Sequence, residues 1–125
     1  MSKIEINIWG RDFSLPVDYE CYVGETIIPI QKEAFEKLIQ HKAELLEDSS
    51  AIKEYCLKKN GSDIQENEIR NIFRYVIPSG IYVLRDSEKR SVALMCNYRF
   101  DMEHGIALLF ENEKLKKIGQ QDMVL

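Results

Sequence analysis

At 125 residues the chain has the size of one domain, 1–125, and is long enough to bury a core without disulfides or metal. Hydrophobic residues at 45% and charged residues at 30% exclude wholesale disorder, and a formal net charge of −4 excludes the basic footprint that non-specific nucleic-acid binding needs. The same acidity favours encounter with a basic protein partner.

Ile4, Ile6 and Ile8 alternate with Lys3, Glu5, Asn7 and Trp9, a period of two that marks a strand. Gly10-Arg11-Asp12 reads as a turn. Phe13, Leu15 and Val17 then continue the alternation, with Tyr19, Cys21 and Val23 on the same parity. This predicts an N-terminal β-hairpin. Pro16 cannot donate to a ladder, so the second strand is expected at an edge or broken there.

Residues 31–76 read as helical. Ala34, Phe35, Leu38, Ile39, Leu45 and Leu46 recur at three- and four-residue steps as one apolar stripe, with Glu33, Glu36, Lys37, Gln40 and Glu44 on the other face. Ser49-Ser50 caps a second helix carrying Ile52, Tyr55 and Cys56, and Asn60-Gly61 supplies a left-handed stop. Ser62 and Gln65 resemble a capping box opening a third helix with Ile64, Ile69, Ile72 and Phe73, which Pro78 ends near Val76.

From residue 80 the pattern returns to strands. Ile81–Leu84, Val92–Tyr98 and Ile106–Phe110 are separated by polar turns, Asn112-Glu113 leads into Leu115 and Ile118, and Met123–Leu125 reads as a last strand. Strands, then helices, then strands specify the α+β class: an N-terminal β-hairpin, two to three central helices and a C-terminal antiparallel meander packed against the helices.

Chemistry-bearing residues are sparse. Asp101, Glu103, His104 and Gly105 stand within one five-residue stretch. Three readings fit it: a turn held by Asp and Gly, a partner contact, or a metal or catalytic site. His41 falls on the polar side of the first helix or at its margin and takes no role. Cys21, Cys56 and Cys96 have no metal spacing, fall on apolar positions and read as buried, inert thiols. No phosphate-binding glycine pattern and no nucleophile motif is present. No cofactor, metal or catalytic set is therefore expected. No stretch reaches the length of a membrane span, and MSKIEINIWGRDFSL has no basic stretch followed by an apolar run, so a cytoplasmic protein is expected. Trp9, opposite in parity to the isoleucines, is either an exposed contact anchor or a second-face core residue. Glu33, Glu36, Glu44, Glu47 and Asp48 form an acidic helical surface suited to a basic partner.

Three C-terminal stretches carry a resemblance: Ile77-Pro78-Ser79-Gly80-Ile81-Tyr82-Val83, then Tyr98–Ala107 with Asp101-Met102-Glu103-His104-Gly105, then Ile118–Leu125 with Gln121-Asp122. The chain resembles, over about its last 50 residues by direct count, an uncharacterised family of small bacterial domains associated with toxin–immunity systems. The resemblance implies a cytosolic protein that binds and blocks a cognate protein toxin, without cofactor or turnover. It carries Asp101, Glu103, His104, Gly105, Gln121 and Asp122 only as motif positions. The expected contact residues are Trp9, Glu33, Glu36, Glu44, Glu47 and Asp48. The rival expectations are a small metal-dependent enzyme centred on the Asp101–Gly105 turn, extended by Asp122, and a regulatory or scaffold protein.

Overall fold

A computed structural model describes residues 2–125. Its strands are β1 (Ser2–Ile8), β2 (Arg11–Tyr19), β3 (Val76–Val83), β4 (Ser91–Tyr98), β5 (Ile106–Glu111) and β6 (Lys114–Gly119). Between β2 and β3 lie α1 (Pro29–Gln40), a single helical turn α2 (Lys42–Leu45) and α3 (Ser50–Asn60). The class is α+β, as the sequence predicts.

All six strands form one sheet in the order β1-β2-β3-β4-β5-β6. Each neighbouring pair is antiparallel except β2–β3, which is parallel and pairs only Val17–Tyr19 with Ile81–Val83. A parallel joint needs a long crossover, and the helical segment supplies it. The strand alternation decides which side is covered. Ile6, Ile8, Leu15, Val17, Ile81, Val83, Val92, Leu94, Cys96, Ile106, Leu108 and Phe110 share one core with Ala34 and Leu38 of α1 and with Ile52 and Cys56 of α3. Each such aliphatic side chain contributes about 1.5–3 kcal/mol by leaving water. A smaller cluster on the opposite face joins Ala93, Ala107 and Val124.

Several expectations are corrected. β2 is not an edge strand: it lies between β1 and β3. Pro16 is tolerated because it sits one residue before the β2–β3 ladder begins at Val17. The hairpin turn is Trp9-Gly10, at φ 52° and 87°, one residue earlier than predicted. The third helix does not form. Residues 61–71 run through turns and bends to a short 3₁₀ turn at Ile72–Arg74, and β3 already starts at Val76. The physical reason is spacing. Ile64, Ile69 and Ile72 are all buried, but a step of five followed by a step of three does not hold one helical face, so each residue enters the core separately. Gly61 is right-handed (φ −58°) rather than a left-handed stop. Ser49 makes no cap. Instead Asp48 Oδ1 accepts from the Ser50 N–H (2.9 Å) and hydroxyl (2.6 Å) at the start of α3. The last residues are a 3₁₀ turn, Gln121–Met123, rather than a strand.

Candidate functional site

The Asp101–Gly105 stretch is a turn between β4 and β5, and its parts bind one another. Asp101 Oδ1 accepts from the His104 backbone N–H (3.1 Å) and faces His104 Nδ1 at 3.0 Å. Asp101 Oδ2 accepts from Gln120 Nε2 (3.0 Å), which ties the turn to the chain end. The Gln121 N–H donates to the His104 carbonyl (3.1 Å), and Gln121 Nε2 donates to the Cys96 carbonyl (2.9 Å). Gly105 has φ +60°, where an L side chain is strained. The structure therefore brings Asp101, His104, Gly105 and Gln121 together as a clasp between the turn and the C-terminal 3₁₀ turn. Glu103 and Asp122 are exposed and stand outside it. Among the described residues no three His, Cys, Asp or Glu side chains converge as a metal cage.

The clasp titrates. The His104 backbone N–H, above all, holds Asp101 below its usual 3.8, while the hydrogen bond and charge of Asp101 raise His104 above 6.5. A raised imidazole contributes fully below about 6.5 and loses its contribution as pH rises through its folded value. A lowered carboxyl contributes above about 3.8 and loses its contribution as pH falls through its folded value. The clasp is thus expected to be tightest at mildly acid pH, between those limits. An NMR titration of His104 should give a midpoint above 6.5 that drops in Asp101→Asn; equal midpoints would mean that the carboxylate does not govern the ring.

The six expected contact residues lie on the helical side. Glu33 and Glu36 are exposed on α1, Glu44 on α2, and Glu47 and Asp48 on the link to α3. They are not equally available. Glu33 faces Arg90 (3.6 Å), Glu44 faces His41 (3.3 Å), and Asp48 is occupied by Ser50. Glu36 and Glu47 have no ion-pair partner among the described residues. Trp9 is not an exposed anchor: it is 9% accessible, because its left-handed turn conformation takes it off the strand alternation. Its backbone N–H donates to the Leu46 carbonyl (2.7 Å) and its ring packs 6.1 Å from that of Phe73. It still lines an open groove of about 380 Å³ with Asn7, Gly10, Lys42, Ala43 and Glu47. An aromatic residue held at positive φ is uncommon and costs roughly 1–3 kcal/mol.

Cys56 and Cys96 are buried as expected. Burial pushes the Cys56 thiol up to about 11 and Cys96 higher still, so both remain protonated at neutral pH. Cys21 is exposed, contrary to expectation, because β2 ends at Tyr19 and strand parity lapses there.

A family profile described as "Domain of unknown function (DUF6985)" matches residues 1–125. The chain belongs to this family. No curated protein and no solved structure matches it. No helix of this DUF6985 domain is long and apolar enough to cross a membrane, among the described residues.

Sequence reasoning missed one polar centre of the DUF6985 fold. Gln31, on α1, is 1% accessible. Its Oε1 accepts from the Ile28 N–H (3.0 Å), and its Nε2 donates to the carbonyls of Glu20 (2.9 Å) and Val83 (3.3 Å). Arg85 reinforces the same loop through the Thr26 carbonyl (2.9 Å) and Glu25 (2.9 Å). The available signal was Pro29 followed two residues later by glutamine, which suits the first turn of a helix whose third residue reaches back to its cap.

Proposed function

We propose that this protein acts by binding another protein: it covers the active surface of a cognate bacterial toxin, as an immunity protein or antitoxin does. The observation that carries the reading is the groove lined by Trp9 and Glu47, with Glu36 exposed on the same helical layer. The groove offers one basic side chain the Glu47 carboxylate beside the small accessible part of the Trp9 ring, with Lys42 also in its lining. Unpaired carboxylates nearby would steer a basic partner toward it. A toxin that cuts nucleic acid needs a basic surface to hold its substrate, which makes a nuclease the natural target. The Asp101–Gly105 turn serves a catalytic reading less well, since the Asp101 carboxylate already accepts from His104 and Gln120.

The test is direct. The chain is purified with the product of the gene immediately upstream and assayed for a one-to-one complex and for rescue of growth in cells expressing that product. The double variant Glu36→Lys with Glu47→Lys is expected to associate about 10-fold more slowly at low salt, the difference shrinking as salt rises. A complex whose on-rate ignores both substitutions would remove this surface from the reading. Absence of a complex and of rescue would sink the toxin reading itself.

A further inference from the structure

The two ends of the sheet differ. At one end β6 is exposed along Lys114–Lys117, carries three lysines in four residues, and meets β5 through an irregularity between Leu109 and Phe110. Clustered lysine and a bulge are the devices by which a sheet edge resists further pairing. At the other end β1 has none of them. It runs seven residues without proline, its register with β2 is unbroken from Ser2 to Ile8, and it pairs with β2 alone. Its two charges, Lys3 and Glu5, are of opposite sign.

The hairpin geometry fixes which backbone groups face outward. Trp9 and Gly10 form a two-residue turn with both φ angles positive, so Ile8 and Arg11 flank it as a pair that exchanges both hydrogen bonds. By alternation Ile8, Ile6 and Ile4 direct their N–H and C=O groups to β2. Asn7, Glu5 and Lys3 direct theirs outward, with no strand to receive them among the described residues.

We propose that this edge pairs antiparallel with the β1 edge of a second copy of the chain, about a two-fold axis through Ile4. Of the axes that keep the outward-facing residues opposite one another, the three nearest the middle of β1 pass through Ile4, Glu5 and Ile6. An axis through Glu5 sets like carboxylates face to face, which is destabilising. An axis through Ile6 pairs Glu5 with Asn7 and leaves Lys3 at the turn of the other copy. The axis through Ile4 pairs Lys3 of each copy with Glu5 of the other, twice by symmetry, and each such pair also exchanges both backbone hydrogen bonds. It also brings the two Ile4 side chains together, and Ile4 is only half-buried in the single chain. The product is one continuous sheet through both copies. Nothing in this contact depends on a toxin partner.

Sedimentation velocity over about 10 µM to about 1 mM, where a small edge interface assembles, tests it. The native chain is expected to move from 14.6 kDa toward twice that mass as concentration rises. Lys3→Glu alone and Glu5→Lys alone should each remain monomeric, since each sets like charges opposite one another. Both sites are exposed, so folding is preserved, and circular dichroism checks this. Mixing the two single variants in equal amounts should restore the dimer, because one copy then supplies only carboxylates and the other only ammonium groups. A native chain that stays monomeric throughout overturns the proposal. So does a dimer that survives in either single variant, or a mixture that fails to associate while the native chain does.

Discussion

Gly105→Ala is expected to cost about 3 kcal/mol of folding stability, read as a lower urea midpoint with unchanged slope. Three effects add. At φ +60° a Cβ strains the backbone, by roughly 1–2 kcal/mol. The added methyl would lie 2.6 Å from the Cys96 carbonyl oxygen and 2.6 Å from Gln121 Nε2. Those two atoms are hydrogen-bonded to each other, so relieving the overlap breaks the bond that holds the chain end to β4. The Cys96 carbonyl belongs to a strand with a neighbour on each side and has little room to shift. Gln121→Ala separates the effects: it loses the bond without the strain, and should cost only about 1 kcal/mol. If Gly105→Ala were no worse than Gln121→Ala, the left-handed backbone and the close approach would not matter.

Gln31→Ala should destabilise the fold by a similar amount, about 3 kcal/mol, by opening a cavity and leaving the Ile28 N–H and the Glu20 carbonyl without their side-chain partner. The damage should be local first. Residues 20–28 should exchange amide hydrogens and be cleaved by protease earlier than the sheet, since Gln31 ties this loop to α1 and, alongside the Glu20 N–H and Arg85, to the end of β3. Gln31→Glu is the sharper probe because it keeps the shape. Its ionised carboxylate would face two carbonyl oxygens where the amide now donates, at 2.9 and 3.3 Å. Protonation restores a donor, so the folded-state pKa of the new carboxyl is raised. The variant should therefore recover stability as pH falls toward about 4 and be weakest at neutral pH. A Gln31→Glu variant as stable as the native chain at every pH would show that the site needs only volume, not the donated hydrogen bonds.

The parts of the fold that could be read from the residues are those where one period dominates. Ile4, Ile6 and Ile8 gave β1, the stripe through Ala34 and Leu38 gave α1, and the alternation through Val92, Leu94 and Cys96 gave β4. The errors fall where a pattern was carried past its physical end. Cys21 and Val23 keep the parity of β2 but follow its last residue, Tyr19, and both are exposed. Ile64, Ile69 and Ile72 are apolar and spaced loosely enough to imitate a helix, yet they are buried from a chain of turns. In the Asp101–Gly105 stretch the turn was legible from Asp and Gly, but its partners Gln120 and Gln121 lie across the fold and only the folded chain brings them in. Gln31 was hidden for the opposite reason. A glutamine on an amphipathic helix resembles its polar face, and nothing local says that two carbonyls from distant residues wait beneath it.

The parallel ladder between β2 and β3 has a consequence for the order in which the molecule assembles. The hairpin and the β3–β6 meander are each built from neighbours in sequence, whereas Val17 meets Ile81 only after the whole intervening crossover has closed. Loop-closure entropy must be spent before that short ladder returns any stabilisation. The seam is therefore expected to form late, after the hairpin and the meander have each paired within themselves.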